Sequence, residues 1–263
     1  MPFHDPHGLY LPRLRAATPW LKRLFSRAFL SLSPATEAAQ AAALAPLRAD
    51  PFFCLNDNAP GSLPGDHYRA GYSSAVASCP PGEVLHLCDV DKLVCYLHGR
   101  RRAAFATDLE RAGQERQPVL FQRSPVAWRT YPRHYRRLEG LAMTAAEYVF
   151  GFPIDIAWSH LVIRAEALGL LLPGLIRHDF GLLAEMAWGL RASFTLRPVD
   201  WMVWEDPFIY GRPAAALRAE RDADPAETRK RLQWLAPILE VLLAAAIPNL
   251  KVTAGRICST GPR

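Results

Sequence analysis

No stretch of about 18 uncharged apolar residues occurs in the 263-residue chain; the longest candidate, Leu235 to Ile247, carries Glu240 and is too short to span a bilayer. The first residues, MPFHDPHGLYLPRLR, lack a basic head followed by a continuous apolar segment, which argues against a secretory signal. A soluble protein is expected. C-x-x-C spacing is also missing. The five cysteines (Cys54, Cys79, Cys88, Cys95, Cys258) are an odd number, which argues for reduced thiols in a cytoplasmic compartment rather than a disulfide scaffold or a zinc site. Internal repeats and low-complexity linkers are lacking too, so one domain over 1–263 is the simplest division.

What is present is an apolar share of 50%, enough for a sizeable core, and a net charge of +6, which suits anionic partners without choosing one. Apolar runs bounded by turn signals recur near 8–15, 27–32, 52–55, 84–88, 119–121, 154–163 and 194–204. Helical spacing lies between most of them, over 18–25, 36–48, 65–78, 92–112, 134–150, 165–172 and 179–191. That alternation predicts an α/β fold. A last helix, 224–247, opens on Asp224-Pro225-Ala226-Glu227, a cap with proline in the first turn. It carries Leu232, Leu235, Leu239, Leu242 and Leu243 as one stripe. Residues 248–263 are expected to be a mobile tail.

EVLHLCDVDKL, residues 83–93, places Asp89 and Asp91 at the end of the most strand-like run of the N-terminal half. Ligands of α/β sheets gather outside the carboxyl ends of strands. If the strand continued, alternation would send both carboxylates to one side, where a hard cation such as Mg²⁺ or Mn²⁺ relieves their repulsion. The competing account is an acidic strand-to-helix turn with Asp91 as N-cap.

The run GDHYRAGYSSAVASCPPGEVLHLCDVDKL, with a helix, a Pro/Gly turn, an apolar strand and then D-x-D, resembles the layout of GT-A fold glycosyltransferases. The stretches RTYPRHYRRLEGLAMTAAEYVFGFPIDIAWSHLVIRAEAL and RHDFGLLAEMAWGL are similar to the acceptor-side half of bacterial enzymes of this type, including the mannosylglycerate-synthase-like group. The resemblance implies a Rossmann-type mixed, mainly parallel sheet flanked by helices, with the C-terminal helix added. It implies a nucleotide-sugar-binding half over 1–91 and an acceptor half over 92–215. It also implies a metal-dependent, hexosyltransferase-type enzyme that takes a nucleotide-diphosphate sugar and a small-molecule or glycan acceptor. The chain departs from the pattern at its start: only Pro2-Phe3-His4 precedes Asp5, so the first strand is very short or begins further upstream. Ser33-Pro34-Ala35-Thr36 also replaces an acidic residue after the second strand, leaving base recognition unassigned.

Within that frame Asp89 and Asp91 are donor-binding residues and metal ligands, with His178 as third ligand. Glu185 lies seven residues on, on the same helical face, as a base or orienter of the acceptor, and Asp179 beside His178 is the second catalytic candidate. Asp155, Glu205 and Asp206 are acceptor-side candidates, the last two closing an aromatic-rich segment (Trp201, Trp204, Phe208, Tyr210) suited to sugar stacking or to a core. Each has a plain alternative as a cap, a turn or a solvated charge. Arg100, Arg101 and Arg102, and then Arg123, Trp128, Arg129, Tyr131, Arg133, Tyr135, Arg136 and Arg137, interleave cations with aromatics. With 25 acidic residues spread along the chain, a solvated face ranks before a phosphate site, and nucleic acid is not expected. A phosphatase using Asp89 as nucleophile ranks low, because Lys92-Leu93 follows the pair. The opposing functional class is a non-catalytic nucleotide-sugar-binding relative of the same fold.

Overall fold

The structure is a computed structural model that describes residues 1–157 and 160–246. In chain order its elements are β1 (Pro2–Phe3), α1 (Leu11–Leu24), β2 (Ala28–Leu32), α2 (Pro34–Ala49), β3 (Phe53–Asp57), α3 (Pro64–Ser78) and β4 (Val84–Cys88). There follow α4 (Val90–Tyr96), α5 (Arg101–Gln114), β5 (Val119–Arg123), α6 (Pro125–Trp128), α7 (Arg133–Phe150), β6 (His160–Arg164) and α8 (Ala165–Leu171). After a 3-10 turn (Leu172–Gly174) come α9 (Gly181–Leu190), β7 (Thr195–Val199), α10 (Asp206–Tyr210), α11 (Ala214–Ala223) and α12 (Pro225–Ala246).

The fold is mixed α/β, with two sheets where one was expected. β3, β2 and β1 form a parallel sheet in that order; β4, β6, β5 and β7 form a second one, in which β6 runs antiparallel to both neighbours and β5 pairs β7 in parallel. β1 is two residues long and pairs only with Ser31 and Leu32 of β2, and among the described residues no ladder joins the two sheets. Helices cover both faces. On one, α1, α4 and α5 bury Leu14, Leu21, Val94 and Phe105; on the other, α3, α7, α9 and α12 bury Tyr72, Ala142, Leu182 and Ile238.

The run near 8–15 is not a strand. It enters α1, because the Asp5 carboxylate accepts hydrogen bonds from the backbone N–H groups of Leu9, Tyr10 and Leu11 at 2.6–2.8 Å and so satisfies the orphan donors of a helix start. The helix expected over 92–112 is two helices, broken at Gly99, whose φ of 65° an L side chain would resist. The strand expected over 194–204 ends at Val199, and Asp206–Tyr210 is helical. The expected tail, 248–263, lies outside the described residues.

One contact between distant segments admits only glycine. Gly65, in the first turn of α3, donates its N–H to the His178 carbonyl at 2.8 Å, and a Cβ there would stand 2.4 Å from the His178 carbonyl carbon. Gly65→Ala is expected to lower stability by about 1–3 kcal/mol through overpacking, measured by denaturant unfolding; an unchanged midpoint would mean that the 176–180 loop yields freely.

Candidate functional site at the end of strand β4

Leu85, Leu87 and Cys88 anchor β4 in the core, and the chain turns into α4 immediately after. Asp89, with an extended backbone, takes the N-cap position, and its side chain makes no capping bond. The carboxylate instead accepts from the Tyr68 hydroxyl of α3 at 2.6 Å. Asp91, in the first turn of α4, accepts from the Lys92 N–H at 2.8 Å through one oxygen. The Lys92 ammonium reaches across to Glu205 at 2.6 Å, while the second oxygen of Glu205 is buried and has no partner. Asp206 follows, paired with Arg221 of α11 at 3.0 Å.

These carboxylates crowd one another. Burial pushes the Asp91 carboxyl up to about 7; Lys92 opposes the shift, and Glu205 and Asp89 add to it. Asp89 is raised by burial as well. Asp206 is pushed up to about 6, by burial first and then by Glu205, against Arg221. Glu205 is drawn down by the Lys92 ammonium and its hydrogen bond, which outweigh burial. Burial first, then Asp91, raises the neighbouring Tyr10 phenol. The edge therefore holds more negative charge than its lysine offsets, together with an orphan carboxylate oxygen. Both features suit a hard divalent cation, which takes carboxylate oxygens and favours their ionised form.

Glu205 and Asp206, expected on the acceptor side, instead stand at this same edge, Glu205 held by the Lys92 ammonium. His178, expected as third ligand, is not there: it is exposed, hydrogen-bonds Asp66 at 2.6 Å, and does not form with Asp89 and Asp91 a set of ligand atoms within 4.8 Å of one another. Glu185 accepts from the N–H groups of Ile176 and Arg177 at 2.9 and 3.0 Å, so it ties down the loop before its own helix. Asp179 holds Arg177 and accepts from the Gly181 N–H at 3.0 Å. Asp155 is buried in a bidentate pair with Arg123, both bonds 2.6 Å, and Arg123 also reaches Glu139, which Arg231 of α12 bonds in turn. Trp201 and Trp204 are buried in the cores rather than open to a sugar. The interleaved cations and aromatics are not one solvated face either, for Arg123, Tyr131 and Tyr135 are buried, and the Arg123 guanidinium lies 3.9 Å over the Trp128 ring.

Sequence reasoning missed Tyr68, Lys92 and Arg221. Lys92 stood beside the motif and served only as an argument against a phosphatase. Tyr68 and Arg221 reach the site from helices whose packing no local spacing encodes. Also unforeseen is the set of His86 and Cys88 on β4 and His160 on β6, whose ligand atoms lie within 4.8 Å of one another. The two imidazoles hydrogen-bond each other at 2.9 Å. Burial pushes His86 down to about 3, lowers His160 and raises the Cys88 thiol, so the set is neutral and packs among Phe105, Tyr96 and Trp201. A thiolate-forming metal would have to overcome that thiol's protonation, yet this is the set whose ligand atoms converge; among the described residues Asp89, Asp91 and Glu205 do not form one within 4.8 Å.

No family model matches the chain, and neither does any curated protein or solved structure. Among the described residues no helix is long and apolar enough to cross a membrane.

Two outcomes follow from the geometry. Asp155→Ala leaves the buried Arg123 with only Glu139, which it shares with Arg231, and is expected to cost about 3 kcal/mol of stability by denaturant unfolding; near-wild-type stability would free Asp155 for a role in binding. Asp91 has a folded pKa above its unfolded value, so its ionisation costs stability as pH rises from about 4 to about 7. Asp91→Asn is expected to be more stable than the parent by on the order of 2 kcal/mol at pH 8 and equal to it near pH 3.5; the same difference at both pH values would contradict the assignment.

Proposed function

We propose that the chain is a metal-dependent glycosyltransferase of the GT-A type that takes a nucleotide-diphosphate sugar at the Asp89–Asp91 edge. The observation that carries this reading is the D-x-D pair at the carboxyl end of the fourth strand, half-buried and short of positive charge. The parallel and mixed sheets, in the orders β3-β2-β1 and β4-β6-β5-β7, with the acidic pair directly after β4 at the edge of the second sheet, support it.

Asp91 and Asp89, with Glu205 beside them, are the groups that would hold Mg²⁺ or Mn²⁺, and their ligand atoms would have to draw together to do so, since they do not lie within 4.8 Å of one another. Such an ion would bind the diphosphate oxygens and stabilise the charge that develops on the leaving group. Lys92 keeps Glu205 turned toward the edge, and Tyr68 orients Asp89 through its hydroxyl. No base for the acceptor hydroxyl is assigned, since Glu185 and Asp179 are engaged with the 176–181 backbone. That engagement favours, as second reading, a nucleotide-sugar-binding protein of the same fold without turnover.

Thermal unfolding with UDP or GDP, with and without Mn²⁺, tests the site. A diphosphate is expected to raise Tm only in the presence of metal, and Asp91→Asn to lose at least tenfold in metal-dependent affinity while remaining folded. Equal binding without metal or in the variant would make the edge scaffold. Release of nucleotide diphosphate from a nucleotide sugar then separates enzyme from binding protein.

A further inference from the structure

Strand register brings two imidazoles and a thiol to one face of the second sheet. His86 and Cys88 stand two residues apart on β4, so alternation sends both side chains to the same face. The β4–β6 pairing sets Cys88 directly opposite His160, which puts the His160 side chain on that face too. One nitrogen of each ring and the Cys88 sulfur all lie within 4.8 Å of one another. Ligands arranged tetrahedrally at about 2.3 Å for sulfur and about 2.0–2.1 Å for nitrogen stand about 3.3–3.8 Å apart, so this set closes on an ion with side-chain shifts on the order of 1 Å.

The three groups do not satisfy one another. His86 Nε2 and His160 Nδ1 share a hydrogen bond of 2.9 Å, while His86 Nδ1 and His160 Nε2 are buried without a partner among the described residues. Both rings are held neutral by burial. Two neutral imidazoles joined by one hydrogen bond leave one bare lone pair and one N–H unmatched, whichever ring donates. Buried polar atoms are ordinarily paired, and a purely structural cluster has no need of two orphans beside a thiol. On one side the rings of Tyr96, Phe105 and Trp201, with centroids 5.3, 6.3 and 5.3 Å from that of His160, exclude water. Elsewhere there is room: between the two sheets lies a cavity of about 600 Å³, walled by Ala28 and Phe29 of β2, Tyr72 of α3, and His86 and Cys88 themselves.

We propose that His86, Cys88 and His160 are the protein ligands of a Zn²⁺ ion whose fourth position, on the side of the cavity, is taken by water. A thiolate and two imidazoles suit a borderline-soft cation, whereas Mg²⁺ and Mn²⁺ favour carboxylate oxygens, of which this set has none. On binding, the ion displaces the Cys88 proton to solvent and takes the thiolate with one lone pair from each ring. Three protein ligands and one exchangeable position form the pattern of zinc ions that activate a bound water; structural ions are closed by a fourth side chain. The site is separate from the acidic edge and does not depend on what that edge binds.

The full chain, stripped of metal by a chelator under reducing conditions, is titrated with Zn²⁺ and, separately, with Co²⁺. One Zn²⁺ per chain is expected, raising Tm by about 5 °C or more at saturation. Co²⁺ is expected to give a thiolate-to-cobalt charge-transfer band and the visible bands of four-coordination. Cys88→Ala is expected to lose that band and about a hundredfold or more in Zn²⁺ affinity, and His160→Gln about tenfold or more. Cys54→Ser, whose thiol lies outside the set, is expected to keep both. Absence of Zn²⁺ binding by the parent, bound Co²⁺ without the thiolate band, or displacement of Zn²⁺ by excess Mg²⁺ would overturn the proposal, and these three readings need no variant to fold. Survival of the band in Cys88→Ala, its loss in Cys54→Ser, or unchanged affinity in a folded His160→Gln would overturn it as well.

Discussion

The Lys92–Glu205 pair is the contact on which the candidate site depends. It joins α4, which grows directly out of β4, to the turn before α10, more than a hundred residues later in the chain, and both side chains are largely withdrawn from water. A pair so enclosed earns little net stability, since desolvation offsets most of its attraction; removal of one partner would leave the other as an uncompensated buried charge. Its consequence is positional. Glu205 is brought against a helix start that already carries Asp89 and Asp91, and three carboxylates share one ammonium. The raised Asp91 and Asp206 carboxyls record burial first and that crowding of carboxylates second.

Much of this was legible in the chain, for identifiable reasons. β2, β3, β4 and β5 were readable because each is a short apolar run between turn signals, and α12 because a cap and a leucine stripe agree. The D-x-D pair lies where strand logic put it. The segment 8–15 misled because α1 is started by a carboxylate at Asp5, six residues ahead of the first helical residue, which looks like a loop residue in any window. The spacing of His178 and Glu185 put them on one helical face, but α9 begins at Gly181 and leaves His178 in the loop before it, and spacing carried no information about partners: Asp66 takes the imidazole, and the backbone of residues 176–177 takes the carboxylate. A periodicity defines a face and leaves open what meets it.

The same limit governs Arg123 to Arg137. In sequence the run looks like a surface, and in the fold part of it is a core, because β5, α7 and α12 bring Asp155, Glu139 and Arg231 around one guanidinium. Arg123 can be buried there since its planar fork meets the Asp155 carboxylate in two parallel bonds and its face lies on Trp128. That arrangement fixes the relation of the β5 end to two long helices, and it removes Asp155 from the list of groups free to meet a ligand.

The acidic edge and the cavity behind it are two ends of one constraint. β4 carries Asp89 at its carboxyl end, is held by β6 on one side, and faces open space on the other over Val84–Cys88. Tyr68 grips Asp89 from α3, and Tyr72, one turn further along the same helix, lines the cavity. α3 therefore belongs to both places: the helix that walls the cavity behind β4 also sets the position of the hydroxyl that orients Asp89 in front of it.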